Sequence, residues 1–159
     1  MKYVMLFLFL AFGLVSEAQT YSMQESMMEQ NGELVPTLQI TLEPKVSDFS
    51  EKFEDYLNNN RDVDLGSKRL MAFDDRIMVA KGLIIKSISN QKIDLKVFLD
   101  ESALDKTQFN VFASFGFTKW ITPRRYPFEY AAMNAFIIEF VKTHLSEYHK
   151  DQVEEKKKD

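Results

Sequence analysis

The chain contains no cysteine. That absence excludes a disulfide framework, thiol nucleophiles, thiolate metal sites and the lipidated cysteine of a bacterial lipoprotein. Glycine and proline are also scarce, at five and four residues. Beyond the N-terminal leader only Gly32, Gly66, Gly82 and Gly116 occur, too dispersed for a phosphate-cradling loop. Histidine is limited to His144 and His149. On a helix this spacing sets them about 140° apart, so they cannot share one metal. Strong net charge is missing too: the chain carries −4, which gives no general attraction for phosphate backbones and makes nucleic acid an unexpected partner.

What is present begins with a leader. Met1-Lys2 supplies a positive start, Tyr3 to Val15 is an unbroken apolar run, and Ser16-Glu17-Ala18 sets small residues where signal peptidase reads. The run is too short to cross a ~30 Å hydrocarbon core as a helix. Residues 1–18 therefore read as a cleavable secretory signal peptide, and the mature protein is expected in the periplasm or outside the cell, with no membrane span left after cleavage. Since Lys2 and Glu17 cancel, the mature charge is unchanged. The remaining chain suffices for one domain, held by its hydrophobic core alone.

Residues 19–33 have no sustained apolar period and end in the turn signal Asn31-Gly32, so they read as a flexible N-terminal segment. A single domain is expected over 34–150. It opens with a strand in which Leu34, Leu38, Ile40 and Leu42 alternate with Thr37, Gln39, Thr41 and Glu43. Pro44 breaks it. Ser47 or Asp48 then caps a helix whose stripe is Phe49, Phe53, Tyr56 and Leu57, with Glu51 at capping-box spacing from Asp48. Four strands follow, at about 68–73, 77–89, 92–101 and 107–117, the second containing Gly82 as a bulge or bend. A long helix from Pro127 to about Glu155 closes the domain, and 151–159 is a charged tail. The order β-α-β-β-β-β-α predicts an α+β two-layer sandwich: a mainly antiparallel five-stranded sheet with both helices on one face. With its exported N-terminus, the strand VPTLQITLE, the helix SDFSEKFEDYL and the segment GLIIKSIS, the chain resembles small exported bacterial α+β proteins of unknown function. That resemblance implies a fold and a location, and no activity.

Candidate sites are few. His144 and Glu147 are helical neighbours, but an exposed His beside a Glu is far commoner than an incomplete metal site. Met23, Met27 and Met28 are soft ligands of the kind that suit Cu(I), yet softness alone selects weakly. Asp74-Asp75 lacks the ordered oxygen spacing of a calcium loop and reads as turn chemistry. No catalytic, metal or cofactor site is therefore expected. Two surfaces stand out. If the alternation sets Ile93, Leu95, Val97, Phe109, Val111 and Ala113 under the helices, Phe98 and Phe112 point outward, with Ile84 and Ile88, or Met78 and Ala80, able to join them. A contiguous apolar patch of that kind suggests a protein partner or self-association. The second is the loop Trp120, Arg124, Arg125, Tyr126, where two guanidinium groups precede a helix N-terminus and could meet an anion or a partner. Its plain alternative is a loop whose aromatic residues fold back onto the core. The expectation is an exported, non-enzymatic envelope protein acting through protein contacts. The alternative is a carrier holding an apolar small molecule between the sheet and the last helix. An enzyme is disfavoured by the missing constellation.

Overall fold

Gln30 and Glu33 pair across a two-residue connection, the shortest that turns an antiparallel hairpin, and Gly32 takes the positive φ of 80° such turns need. The computed structural model describes residues 20–30, 32–43, 45–46, 48–66, 71–74, 76–100, 105–116 and 119–155, with no account of side chains at 71–74 or beyond 143. Around the loop, β1 (Thr20–Gln30) and β2 (Glu33–Glu43) pair without interruption from Gln30↔Glu33 to Thr20↔Glu43. Then come α1 (Phe49–Asn59), β3 (Val63–Asp64), β4 (Met71–Asp74), β5 (Ile77–Ile85), β6 (Ile93–Asp100), β7 (Thr107–Ser114) and α2 (Pro127–Glu155). All pairings are antiparallel, in the order β1-β2-β7-β6-β5-β3, with β4 also on β5.

The α+β class, the antiparallel sheet and the two helices are as the sequence predicts. The strand count and the order are not. Residues 20–30, expected to lack regular structure, form the edge strand β1, and the two-residue β3 is additional. β1 was hidden because one face is almost wholly polar and the other, Tyr21, Met23 and Met27, is interrupted by Glu25, leaving no sustained apolar period. Asp48 does not close a capping box either. Its φ of 54° is left-handed and its side chain makes no cap hydrogen bond, whereas a capping residue normally sits in the extended region.

One face of the sheet carries the main core. Leu38, Ile40 and Leu42 of β2, Phe109, Val111 and Ala113 of β7, and Ile93, Leu95 and Val97 of β6 all lie buried beneath both helices. α1 contributes Phe49, Phe53 and Leu57, and α2 contributes Tyr130, Met133, Phe136, Ile137, Phe140 and Val141. Phe49 joins the layers, its ring 4.5 Å from Phe109 and 5.6 Å from Phe140, while Phe53 meets Phe140 edge-on at 4.9 Å. Such pairs contribute about 0.5–1.5 kcal/mol each beyond area burial. In β5 the register shifts between Ala80 and Leu83 around Gly82, whose φ is 66° and whose N–H donates to the Asp94 carboxylate at 2.8 Å. This is the bulge the glycine suggests.

Candidate partner-binding surface

Pro36 organises the end of the domain where the candidate residues meet. β2 and β7 pair from Leu42↔Thr107 to Leu38↔Val111, and the same register would next set Pro36 against Ala113. The Ala113 carbonyl points to that side of β7, and proline has no N–H to give it. Ile121 takes the place instead, donating its N–H to Ala113 O at 2.9 Å. The chain reaches that position by reversing after β7. Gly116 takes a φ of 99°, Phe115 N–H donates to Lys119 O, and Ser114 and Trp120 form an antiparallel bridge. The reversal alternates like a strand: Ile121 enters the main core, and Trp120 lands on the other face of the sheet.

There Trp120 covers Phe112. The rings meet edge-on, 5.3 Å between centroids at 73°, and Phe98 stacks on Phe112 at 5.4 Å and 13°. Val35 and Met28 close the cluster from the hairpin. Phe112 is 0% exposed, so it is the centre of a second, smaller core. This corrects the expectation of an apolar patch open to solvent. Phe98 is half-buried; Ile84 is half-buried on β5; Ile88, just beyond β5, is buried in the main core beneath the helices. Met78 and Ala80 also belong to the main core. The four residues Phe98, Phe112, Ile84 and Ile88 therefore do not form one outer patch. Lys96 lies over the cluster, its ammonium 5.7 Å from the Phe112 ring and 5.5 Å from the Trp120 ring. Burial, and next the charge of Lys81, lower its pKa from the ordinary 10.5, with Asp94 opposing.

The loop residues divide. Trp120 and Tyr126 fold back, Tyr126 meeting Phe115 edge-on at 5.0 Å. Arg124 and Arg125 remain exposed in a turn held by Arg125 N–H to Thr122 Oγ1 and Tyr126 N–H to Thr122 O. With Pro123 and Thr122 they line one wall of a cleft of about 350 Å³, whose other wall is Met27, Glu33, Leu34, Val35 and Pro36 at the hairpin tip. Sequence alternation sets Leu34 with the core, yet it is 68% exposed, because the tip runs on past the cover of α2. Phe128 is 86% exposed. Its signal was legible: at about 100° per residue it falls roughly 200° round α2 from buried Tyr130.

Two other clefts open at the surface. One, of about 570 Å³, lies between α1 and α2 and is lined by Lys52, Asp55, Tyr56, Asn60, Glu139 and Phe140 among others. The Tyr56 hydroxyl is buried there without a hydrogen-bond partner among the described residues. Burial, and then the Glu139 carboxylate, push its pKa up to about 12. Burial and the nearby Glu25 carboxylate likewise raise Tyr130. The second, of about 470 Å³, runs between the start of α1 and the ends of β6 and β7.

The three methionines do not share one face. Met23 and Met27 share one face of β1, whereas Met28 faces the other and packs with Phe112. Among the described residues no cluster of three or more His, Asp or Glu forms. The side chains of His144, Glu147 and His149 lie outside the described residues, as do those of Asp74 and Asp75 and the whole of the leader 1–18. No helix among the described residues is long and apolar enough to cross a membrane. No family model, curated protein or solved structure matches the chain.

Proposed function

We propose that this is an exported, non-enzymatic envelope protein that acts through protein contacts, with the cleft between the hairpin tip and the Thr122–Arg125 turn as its contact surface. The observation that carries the reading is a juxtaposition. Exposed Leu34 and Met27 face exposed Arg124 and Arg125 across one cleft. Arginine and large apolar side chains around a recess are what interface hot spots are made of. The exposed Arg124 and Arg125 beside a wall of Met27, Leu34, Val35 and Pro36, which also carries Glu33, suit a segment of another protein bearing carboxylates and apolar side chains. The carrier reading draws no support from the three clefts, since none is lined by both the sheet and α2.

Trp120 is the only tryptophan and lines this cleft, so its fluorescence reports occupancy. The probe is a pair of synthetic peptides, one alternating Glu with Leu and one alternating Lys with Leu. The Glu-Leu peptide should bind and the Lys-Leu peptide should not, and Arg124→Glu with Arg125→Glu should weaken binding at least about tenfold. Equal response to both peptides, or none to either, would remove the reading. Export has its own test: envelope protein should have the mass of a chain starting at Gln19, and retention of Met1 would contradict cleavage.

A further inference from the structure

The two edges of the sheet are built differently. At one edge, β5 is covered by the short strands β3 and β4, with a register shift between Ala72 and Asp74. At the other lies β1, eleven residues long and paired with β2 throughout. No described strand pairs with its far side. β1 carries few of the usual protections of an edge: TYSMQESMMEQ contains no proline and no lysine, its register shows no bulge, and its charges are Glu25 and Glu29 alone.

Which main-chain groups are free follows from the pairing. In the two-residue hairpin, Gln30 and Glu33 are the closing hydrogen-bonded pair, so Gln30, Met28, Ser26, Gln24 and Ser22 turn their N–H and C=O toward β2. The β7 side agrees. The Ala113 carbonyl that accepts from Ile121 fixes Leu38↔Val111 as a hydrogen-bonded pair, which leaves the odd-numbered residues of β2 facing β1. Tyr21, Met23, Glu25 and Met27 therefore present their N–H and C=O at the open edge.

We infer that β1 pairs antiparallel with β1 of a second copy of this chain, about a two-fold axis at Gln24. In that register Tyr21 lies opposite the partner's Met27, and Met23 opposite the partner's Glu25, each contact occurring twice. Every one of these residues has edge-directed main-chain groups, so each pair exchanges both hydrogen bonds. Tyr21 and Met27 are 39% and 53% exposed, and the pairing sets these apolar side chains against each other on the helix face. Other centres fit worse. An axis at Glu25 opposes that carboxylate to its own copy, and one at Met23 sets Tyr21 against Glu25. An axis at Ser26 gives Met27 and Met23 only glutamates. On the opposite face, Gln24 bonds side chain to side chain with Gln39, which stands beside Asn110, and the two-fold extends this amide row from one copy into the next.

The chain has no cysteine, so a single introduced one reads the register. At the axis, Gln24 and its copy form a non-hydrogen-bonded pair with Cα atoms about 4.5 Å apart, within disulfide reach. Oxidised Gln24→Cys should become a covalent dimer. Ser22→Cys and Ser26→Cys should each stay monomeric, but cross-link when mixed. Sedimentation adds a second measurement. Tyr21→Lys with Met27→Lys opposes like charges and should weaken association at least about tenfold, while Tyr21→Lys with Met27→Glu should restore it. Circular dichroism of each variant checks that the domain is folded. A wild-type chain still monomeric at about 200 µM, or cross-linking of Ser26→Cys alone as efficient as that of Gln24→Cys, would overturn the inference. Leu34, Arg124 and Arg125 take no part in this pairing, so variants of those three residues leave it intact, whereas Met27 belongs to both the cleft and the seam and its variants are read by sedimentation and cross-linking alone.

Discussion

Phe98 lies stacked on Phe112 with ring planes 13° from parallel, and Trp120 closes over Phe112 from the loop that follows β7. The two phenylalanines thus belong to a packed cluster on the face of the sheet turned away from the helices. Phe112→Ser should destabilise the domain by about 3–5 kcal/mol, as removal of a buried phenylalanine does, and half-buried Phe98→Ser by clearly less. Urea denaturation of the two variants checks the order. A Phe112 variant within about 1 kcal/mol of the parent would show that Trp120 does not cover it.

Lys96 and Trp120 give that cluster an optical signature. The ammonium sits 5.5 Å from the only indole, so its loss of charge changes the field on the fluorophore. The difference between the fluorescence titrations of the parent and of Lys96→Met should show a midpoint below 10.5, since burial and Lys81 lower the Lys96 pKa. A midpoint at or above 10.5 would contradict the burial of that side chain.

Tyr56 should contribute to alkaline stability. An unfolded phenol ionises near pH 10, whereas in the folded chain Tyr56 keeps its proton up to about 12. The folded state binds the proton more tightly, so this contribution is present below pH about 10 and is lost as pH rises toward about 12. Tyr130 shifts the same way and adds to the loss. Tyr56→Phe should flatten the fall in urea midpoint over that interval. It should leave neutral-pH stability within about 1 kcal/mol, because the buried hydroxyl has no described partner to lose. An unchanged alkaline slope would place the phenol in water.

Local chemistry made much of this fold legible. Pro127 marks the start of α2 as a residue that needs no N–H there, the apolar stripe of α1 faces the core, and Gly82 sits at the bulge in β5. What escaped was set by contacts distant in sequence. In β1 the alternation of Tyr21, Met23 and Met27 is broken by Glu25, and the Asn31-Gly32 turn signal alone announced its pairing with β2. The burial of Phe112 depends on a reversal at Gly116 that returns Trp120 across the sheet, and alternation within β7 cannot report that. Leu34 keeps the alternation of Leu38, Ile40 and Leu42, but beyond Pro36 the strand leaves β7 and no helix covers it. The cleft itself joins a hairpin and a loop about ninety residues apart, a distance over which sequence periodicity carries no information.

The central claim is that the end of the domain holding Leu34, Arg124 and Arg125 is where a partner protein binds. Its most direct measurement is site-specific photo-cross-linking in the producing cell, with a photoreactive phenylalanine analogue at Leu34 or, as control, at Lys45, exposed beyond the other end of β2. One discrete adduct is expected from Leu34, absent from Lys45 and reduced at least about tenfold by Arg124→Glu with Arg125→Glu. Equal adducts from both positions, or a Leu34 adduct indifferent to the arginine changes, would contradict it.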